Sequence, residues 1–442
     1  MTRSFKIITL GCKVNQYESA YFDENLRKTG WFRSSGREPC DAVIVNTCVV
    51  TTRAAHQSRQ AIRKAIRENK HAVVAAVGCY AQAFPQELED IEGIHLIADN
   101  RTKGRVMDLL QQHLSTRTKT VALQPYEPDT PYDFLKISTF PGRTRAYLKI
   151  QDGCESFCSY CIVPYTRGPY RSLPPEKAVS MLAAFAAQGV KEVVLTGIHL
   201  GKYGNDLAEG HTLNTLLDRI GKEHLPLRIR LSSLEPGEID DALIDSMADN
   251  EWLCRHFHIP LQSGDEGILN RMNRRVTRKY FRRLIQTIHA RIPLAAIGVD
   301  VMAGFPGEDR RAHMNTYSLI RDLPISYLHV FPFSARPGTP AASFKAPVDP
   351  GTIKARAADL RELGWEKRMR FYESCLNHSF EVLVETWQDP EEGLVKGTAD
   401  NYLPVIFPSH TLDQGRLVRL RIERISERGV VGNRCAASGP KP

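Results

Sequence analysis

The sequence contains no run of about 20 apolar residues, the length that a helix needs to cross a bilayer. Its start, MTRSFKIITLGCKV, lacks both the long apolar stretch and the small-residue cleavage site of a signal peptide. We therefore expect a protein that is neither secreted nor a membrane partner and that works in the cytoplasm. Internal repeats and low-complexity tracts are also absent.

The composition is that of a globular protein. The 442 residues are 42% hydrophobic and 25% charged, which is enough apolar surface to bury several cores. At roughly 100 to 200 residues per domain, this length predicts two to four domains. The net charge of +9 favours polyanionic partners modestly, so the distribution of the charge matters more than its total.

The first part of the chain alternates short β-branched runs with helical stretches. The runs are KIITLGC, AVIVNTC and HAVVAAVGC, and this rhythm is typical of parallel βαβ units. We predict an N-terminal α/β domain over residues 1–114. A stretch rich in Thr, Pro and Arg follows, and we interpret residues 115–144 as a linker.

Residues 145–373 contain six further strand candidates, most of them separated by segments of helix length. Repeated β/α units over this length predict a complete or partial (β/α) barrel, closed by an amphipathic helix over residues 353–373. Residues 374–437 change to alternating strands broken by Gly, Pro and Asp, which predicts a small β-barrel. The six candidates are AYLKIQ, EVVLTG, LRIRLSS, FHIPLQ, AIGVDVMAG and YLHVFPF.

Three cysteines stand within eight residues, directly after the strand candidate AYLKIQ: Cys154, Cys158 and Cys161. Three thiolates on one loop can bind a four-iron cluster and leave one iron open for a cofactor or substrate. The alternative is a zinc knuckle or an incidental grouping. A zinc site would need a second ligand cluster nearby, and the sequence offers none.

A second set of cysteines is spread along the N-terminal domain, where Cys12, Cys48 and Cys79 each follow an apolar strand candidate. Because ligands of open α/β sheets gather beyond the carboxyl ends of the strands, these thiols can converge on a second metal centre. A single cysteine in such a place is more often a buried structural residue. The other four cysteines have no such spacing and are interpreted as structural: Cys40, Cys254, Cys375 and Cys435.

Together, these motifs resemble the methylthiotransferases of the radical S-adenosylmethionine (SAM) superfamily, over nearly the whole chain. The matching segments are LGCKVNQYES (10–19), NTC (46–48), GCYAQ (78–82), DGCESFCSYCIVPYTRGPYRS (152–172), TGIHLGKYG (196–204), HIPLQSG (258–264) and GFPGE (304–308).

The resemblance implies two [4Fe-4S] clusters. The loop cysteines would hold the cluster that cleaves SAM to a 5′-deoxyadenosyl radical, and the strand-end cysteines would hold an auxiliary cluster that delivers a methylthio group. The start LGCKVNQYES resembles the branch that modifies C2 of N6-threonylcarbamoyladenosine at position 37 of tRNA. An electron donor, which the sequence does not identify, is also implied.

Two other interpretations remain open. The chain could be a methylthiotransferase that acts on isopentenyladenosine-37 of tRNA or on an aspartate of a ribosomal protein. It could also be a zinc-stabilised RNA-binding protein without catalysis, which would explain the cysteines and the basic segments but would give the open three-thiol arrangement no purpose.

The resemblance also implies SAM contacts at the carboxyl ends of the barrel strands. We expect no catalytic residue beyond the cluster ligands, and we interpret His199, His256 and His258 as structural. The predicted SAM contacts are Tyr160, Thr196, Gly197, Ser233, Glu235, Gln262, Ser263 and Asp300.

Basic residues concentrate in residues 271–283, RMNRRVTRKYFRR, which include no acidic residue. Phosphate contact is one interpretation of this run, and a solvated helix face is the other. The C-terminal domain resembles the TRAM module, a small RNA-binding barrel. The predicted nucleic-acid contacts are Arg274, Arg275, Arg278, Lys279 and Arg282, with Arg419 and Arg421 in the C-terminal domain.

Overall fold

The structure is a computed structural model of the chain. It describes residues 3–34, 38–140, 142–208, 210–389, 393–408, 413–426 and 429–435. Within these ranges, no helix is both long enough and apolar enough to span a bilayer.

The N-terminal domain is a six-stranded sheet, and every neighbouring pair of strands in it is parallel. The order β2-β1-β3-β4-β5-β6 places the three cysteine-bearing strands side by side, and the predicted parallel α/β domain is confirmed. Two apolar clusters, one on each face of the sheet, form the core. The strands are β1 (Ser4–Thr9), β2 (Phe32–Arg33), β3 (Ala42–Thr47), β4 (Val73–Gly78), β5 (Leu96–Ala98) and β6 (Thr120–Ala122), and the helices are α1 (Lys13–Lys28), α2 (Thr52–Glu68), α3 (Cys79–Ala83), α4 (Pro85–Glu89) and α5 (Val106–Thr116).

The structure differs from the predicted linker at residues 115–144. Strand β6 lies inside that range and pairs with β5, so the sheet extends further along the chain than the composition suggested. The rest of the segment is docked rather than free. Tyr132 donates to the carbonyl of Lys149 at 2.5 Å, and Glu24 of α1 accepts hydrogen bonds from the backbone of Ser138 and Thr139.

The central domain contains all six predicted barrel strands, arranged as two parallel three-stranded sheets, β11-β10-β7 and β12-β13-β14. An isolated bridge pairs Ile229 of β11 with Leu253, three residues before β12, so the two sheets lie next to each other and form a six-stranded partial barrel. The strands are β7 (Ala146–Lys149), β8 (Gln151–Asp152), β9 (Arg171–Ser172), β10 (Glu192–Thr196), β11 (Arg228–Leu231), β12 (His256–Gln262), β13 (Ala296–Ala303) and β14 (Tyr327–Pro332), and the helices are α6 (Val163–Arg167), α7 (Pro175–Ala187), α8 (Leu213–Lys222), α9 (Asp241–Asp249), α10 (Glu266–Arg271), α11 (Arg278–Arg291), α12 (Arg310–Asp322) and α13 (Pro350–Ser374).

The C-terminal domain is a closed five-stranded barrel in the order β15-β16-β17-β19-β18, which confirms the predicted small β-barrel. Its strands are β15 (Ser379–Asp389), β16 (Leu394–Ala399), β17 (Pro404–Pro408), β18 (Leu417–Ser426) and β19 (Gly429–Arg434).

The C-terminal barrel packs against the amino-terminal ends of the central strands. Arg228, the first residue of β11, and Arg230 donate to backbone carbonyls of the C-terminal domain between residues 381 and 400. Both guanidinium groups also pair with the buried carboxylate of Glu192. Tyr402 stacks on His256 with ring centroids 4.4 Å apart. The interior of the central barrel is therefore covered at this end and faces the N-terminal domain at the other.

Candidate active site

The cysteines of the N-terminal domain lie at the carboxyl ends of three neighbouring strands. Cys12 follows β1, Cys48 follows β3 and Cys79 follows β4, and the registers align the ends because Thr9 pairs with Asn46 and Thr47 with Gly78. Cys48 and Cys79 are buried, whereas Cys12 is exposed. Parallel pairing has thus placed residues that are 31 and 36 positions apart in one crevice. We call these three residues the strand-end trio.

Buried polar side chains fix the loops that carry the strand-end trio. Asn15 donates to the carbonyls of Leu10 and Thr47 at 2.7 and 2.9 Å, which ties the first turn of α1 to the end of β3. The hydroxyl of Ser58 accepts from the amide of Cys48 at 3.1 Å and donates to its carbonyl at 2.9 Å. Gly11 has φ +90°, and a Cβ there would lie 2.9 Å from Cys48 Sγ. The crevice therefore has no room for a side chain at position 11.

The three thiols of the strand-end trio lie close enough to influence one another. Burial, with the nearby charges of Cys79 and Cys12, raises the pKa of Cys48 to about 12. Without a metal, this sulfur would therefore be a protonated thiol at neutral pH, and a bound metal would displace the proton.

The other three cysteines lie on the loop after β8, and all three are partly exposed. Gly153 makes the loop possible, because at φ +81° its missing Cβ would lie 1.7 Å from the carbonyl oxygen of Pro169. The amide of Cys161 donates to the carbonyl of Cys158, and that of Cys154 donates to Gly168. We call Cys154, Cys158 and Cys161 the loop trio.

Two charged groups flank the loop trio. His199 Nδ1 lies 3.4 Å from Cys154 Sγ, and its Nε2 lies 2.6 Å from Glu238. Although burial lowers it, hydrogen bonds with Cys154 and Glu238 raise the pKa of His199 to about 9, so this imidazole is a cation at neutral pH. Arg274 lies 4.0 Å from Cys158 Sγ and forms a two-pronged ion pair with Glu235 at 3.1 and 2.6 Å. Both cations favour thiolate at the loop.

Cys158 of the loop trio lines a cleft of about 440 Å³, together with His199, Glu235, Arg274 and Arg275, among others. A larger groove of about 720 Å³ lies beside α8 near Trp252, but none of the ten cysteines lines it. We regard the smaller cleft as the functional one because it contains the thiol of Cys158 and the charged groups that flank the loop trio.

Helix α6 connects the two trios. Ile162, the residue after Cys161, is buried in the same apolar cluster as Cys79. Asn100 donates to the carbonyl of Thr166 at 2.7 Å and lies 3.5 Å from Cys79 Sγ. The same short helix therefore leaves one trio and packs against the other.

A buried ion network holds this junction. Arg167, at the end of α6, donates to Asn15 Oδ1 at 2.7 Å and to Glu18 at 2.7 Å, and Lys103 also pairs with Glu18. Lys149 lies 3.7 Å from the same carboxylate. Burial raises the pKa of Glu18, but the three cations outweigh burial and lower it to about 2. The network joins both domains through fully buried charges.

The spacing of the thiols in both trios is wider than a single zinc ion bound by three of them would require. In a tetrahedral zinc site, Zn–S bonds of about 2.3 Å place neighbouring sulfurs only about 3.8 Å apart. In the described part of the chain, neither trio brings its three sulfurs within 4.8 Å of one another. A cubane binds each thiolate through a different iron and needs the wider spacing. The zinc-stabilised alternative is therefore not supported.

The interior of the central barrel is polar. Its lowest layer contains His256 and Tyr327, hydrogen-bonded at 2.7 Å, and the next layer contains His258, Asp300 and His329. Period-two alternation points these residues to the same face of their strands.

Lys13, next to Cys12, lies within electrostatic range of Asp300 and Arg230, and burial lowers its pKa. Within the described ranges, its ammonium has no hydrogen bond or ion pair. The first turn of α1 thus presents a cation to the barrel interior.

The predicted SAM contacts fall into three groups. Ser233, Gln262 and Asp300 retain accessible surface along the barrel strands, and Glu235 lines the cleft beside the loop trio. Tyr160 packs edge to face on Phe305, and Gly197 contacts Gln151. Thr196 and Ser263 are buried, and the hydroxyl of Ser263 is already used by Thr316 and the amide of Asp265. Side-chain contacts from these two residues to a ligand do not fit the structure.

The predicted nucleic-acid contacts also divide. Arg275 and Lys279 are exposed, and Arg278 and Arg282 are partly exposed along α11 and the turn before it. Arg274 does not belong to this face, because its guanidinium is buried against Glu235 and the loop trio. Arg419 and Arg421 are exposed on one face of β18.

The sequence interpretation missed several residues of the site. Arg167, Glu18 and Lys13 lie within matched motifs but carry no local signal of pairing across domains. His258 was interpreted as structural, and His329 was not considered. Their association could have been found only from the alignment of β12, β13 and β14.

Comparisons with known proteins agree with this geometry. Residues 4–98 match the family described as "Uncharacterized protein family UPF0004", and residues 148–320 match the Radical SAM superfamily. The threonylcarbamoyladenosine tRNA methylthiotransferase MtaB of Bacillus subtilis is 34% identical over 416 residues, which cover 94% of this chain and 92% of the relative. The protein of the same name from Aquifex aeolicus is 36% identical over 415 residues, covering 94% and 98%.

Among solved structures, the radical S-adenosylmethionine methyltransferase TsrM of Kitasatospora setae has a TM-score of 0.57 over 77% of each chain, with 16% identity. This likeness confirms the fold alone. The identity to the curated relatives, sustained over nearly the full length of each, decides the family. The chain belongs to the radical SAM methylthiotransferases, and specifically to the threonylcarbamoyladenosine tRNA methylthiotransferase family.

Proposed function

We propose that this protein is a tRNA methylthiotransferase that adds a methylthio group to C2 of N6-threonylcarbamoyladenosine at position 37. The observation that carries the proposal is the connection of two three-thiol sites through α6, with Ile162 buried beside Cys79. One site alone would serve many radical enzymes. Two sites joined by one short helix suit a reaction in which one cofactor activates a carbon and another supplies sulfur.

In this proposal, the loop trio holds one [4Fe-4S] cluster and the strand-end trio holds the other. With SAM, the clusters would supply the one-electron and sulfur chemistry that an unactivated aromatic C–H bond requires. The chain provides the thiolates, and His199 and Arg274 stabilise the negative charge of the loop trio. Ser233, Glu235, Gln262 and Tyr160 are the proposed SAM contacts.

The substrate assignment is supported by the charge that lines the approach to the barrel. N6-threonylcarbamoyladenosine carries a carboxylate, whereas isopentenyladenosine carries a hydrocarbon. Lys13 is partly buried, next to Cys12, and has no acidic partner in the described part of the chain. A carboxylate of the substrate would supply that partner, and pairing a buried cation is favourable because an unpaired one is costly.

The cleft has the features of an RNA entrance. Phe157 and Tyr165, each about half exposed, meet edge to face at 5.9 Å on and beside the cysteine loop. Exposed aromatic rings stack on unpaired bases such as those of an anticodon loop. Arg275 and Lys279 extend the same region with positive charge for phosphates. We place the protein in the cytoplasm with its tRNA, and Arg419 and Arg421 would provide further RNA contacts.

The proposal is tested by mass spectrometry of tRNA nucleosides from cells with and without the gene. We expect the methylthio derivative of threonylcarbamoyladenosine to disappear in the deletion strain, with the unmodified nucleoside accumulating. Loss of the isopentenyl derivative instead would reject the substrate assignment.

Complementation of the deletion strain with variants of the protein adds a second test. Lys13→Gln should restore the product poorly while leaving SAM cleavage by the purified enzyme intact. Lys28→Gln, at an exposed position of the same helix, serves as the matched control and should complement fully.

A further inference from the structure

Three side chains inside the central barrel form a compact group that the proposed reaction does not use. His258 Nε2 lies 3.0 Å from Asp300 Oδ1, His329 Nδ1 lies 3.3 Å from the same oxygen, and the two nitrogens are 3.2 Å apart. In the described part of the chain, no other three His, Cys, Asp or Glu residues bring their ligand atoms within 4.8 Å of one another.

These spacings match the edges of a coordination polyhedron. Metal bonds of about 2.1 Å to nitrogen and oxygen place neighbouring donors about 3.0 Å apart at right angles and about 3.4 Å apart at tetrahedral angles. The three observed separations fall between these limits. Two imidazoles and one carboxylate on one side of an ion are a recognised donor set for first-row transition metals.

The surrounding structure supports the group as a prepared site. Its residues come from three neighbouring parallel strands, and the register is regular from His256 to Pro260 of β12 and along β14, so the backbone fixes their spacing. Oδ1 of Asp300 is buried and receives no well-aligned hydrogen bond. The hydroxyl of Ser233 lies 2.6 Å from His258 Nδ1 and can orient that ring. Metal-bound histidines commonly have such a partner at the second nitrogen.

We propose that His258, Asp300 and His329 bind one divalent transition-metal ion inside the barrel, with zinc as the best-fitting ion. Mg²⁺ and Ca²⁺ prefer oxygen ligands. The positive charge of Lys13 nearby also disfavours a cation that is bound only by electrostatic attraction. Arg230, the other nearby cation, is already paired with Glu192. The side chain of His329 is 49% exposed, so the ion would keep open positions for water or an oxygen ligand.

The test uses the enzyme purified anaerobically with its iron-sulfur clusters, dialysed to equilibrium against Zn²⁺ under a weak chelator. We expect about one zinc per chain. X-ray absorption should show nitrogen and oxygen neighbours at about 2.0 to 2.1 Å, and not the sulfur neighbours at about 2.3 Å that zinc on stray cysteines would have.

Zinc binding by variants shows which residues hold the ion. Asp300→Asn, which keeps the shape of the side chain, and His329→Ala, at a half-exposed position, should each weaken zinc binding at least tenfold. His289→Ala, at an exposed position on α11 of the same domain, should bind zinc like the parent. Substoichiometric zinc in the parent, a sulfur-ligated ion or unchanged binding in both site variants would each overturn the inference.

Iron content and 5′-deoxyadenosine formation, measured on the same preparations, separate this inference from the proposed function. Nitrogen- and oxygen-bound zinc in a protein that cleaves no SAM would keep the metal site and reject the proposed reaction. SAM cleavage by a protein that binds no zinc would reject the metal site and leave the proposed reaction intact.

Discussion

The two cysteine trios are built in different ways. The loop trio is contained in eight residues and depends on one tight turn, with His199 and Arg274 at its sides. The strand-end trio depends on the register of β1, β3 and β4, and its members are separated by dozens of residues. The first is a local structure and the second is a product of the domain fold, so the two should fail under different perturbations.

The largest effect is expected from Cys158→Ala. Removing one of three ligands from the loop should prevent the SAM-cleaving cluster from forming, so 5′-deoxyadenosine should fall to background. Iron should fall from about eight to about four per chain. Elemental analysis and product detection by mass spectrometry check both numbers. Retained cleavage would mean that the loop trio is not the SAM-cleaving site.

Cys48→Ala should separate the two trios. We expect about four iron per chain, substantial remaining SAM cleavage and no methylthiolated tRNA. Cys435→Ser, a cysteine of the C-terminal barrel, is the matched control and should behave like the parent in all three measurements. If the Cys48 variant still methylthiolated tRNA completely, the strand-end trio would not hold the auxiliary cluster.

Glu18→Gln should weaken the junction between the trios, because Arg167, Lys103 and Lys149 would lose a shared buried counter-charge. Breaking a buried pair costs about 3–5 kcal/mol, measurable by urea unfolding of the metal-free protein at pH 7.

The pH dependence gives an independent check on the same residue. The pKa of Glu18 lies at about 2, below its ordinary value near 4.5. The ionised carboxylate therefore stabilises the folded state above about pH 4.5, and this contribution, roughly 3 kcal/mol, is lost as the pH falls toward 2. The variant should lack that part of the acid sensitivity. Equal acid sensitivity in both proteins would contradict the assignment.

Gly11→Ala tests how closely the strand-end crevice is packed. A side chain at φ +90° costs about 1–2 kcal/mol, and here it would also press on Cys48 Sγ. Gly30→Ala has nearly the same φ, +85°, but nothing lies within 4 Å of the added carbon. Both variants should lose the stability that the strained backbone costs, Gly11→Ala should lose more because of the contact with Cys48, and only Gly11→Ala should lose iron. Equal iron contents would show that the crevice is not filled at Cys48.

The smallest effect is expected from the double change Arg275→Ala and Lys279→Ala. If both contact phosphates, the slope of log affinity for tRNA against log salt should decrease by roughly 1.5, with SAM cleavage unchanged. Filter binding over a salt series measures the slope. An unaltered slope would show that these two residues do not contact phosphates and belong to a solvated helix face.

Much of the fold was predictable because apolar runs mark buried parallel strands, and six barrel strands and three cysteine-bearing strands were recognised in that way. Strand β6 was missed because three residues, Thr120–Ala122, in a Thr- and Arg-rich stretch carry no such signal.

Arg274 was assigned to an RNA surface because a run of charges does not reveal burial. Its partner, Glu235, lies 39 residues earlier in the chain. The grouping of His258 with His329 was likewise invisible, because it depends on which residues of β12 and β14 flank Asp300.

The contact between the C-terminal barrel and Arg228, Arg230 and His256 has a consequence for engineering. A version of the chain ended at Ser374 would strip four carbonyl acceptors from two buried guanidinium groups and remove the ring that stacks on His256. The polar interior of the central barrel would then be open to water from that end. The last domain therefore closes one end of the central barrel and supplies the hydrogen-bond acceptors that its buried arginines need.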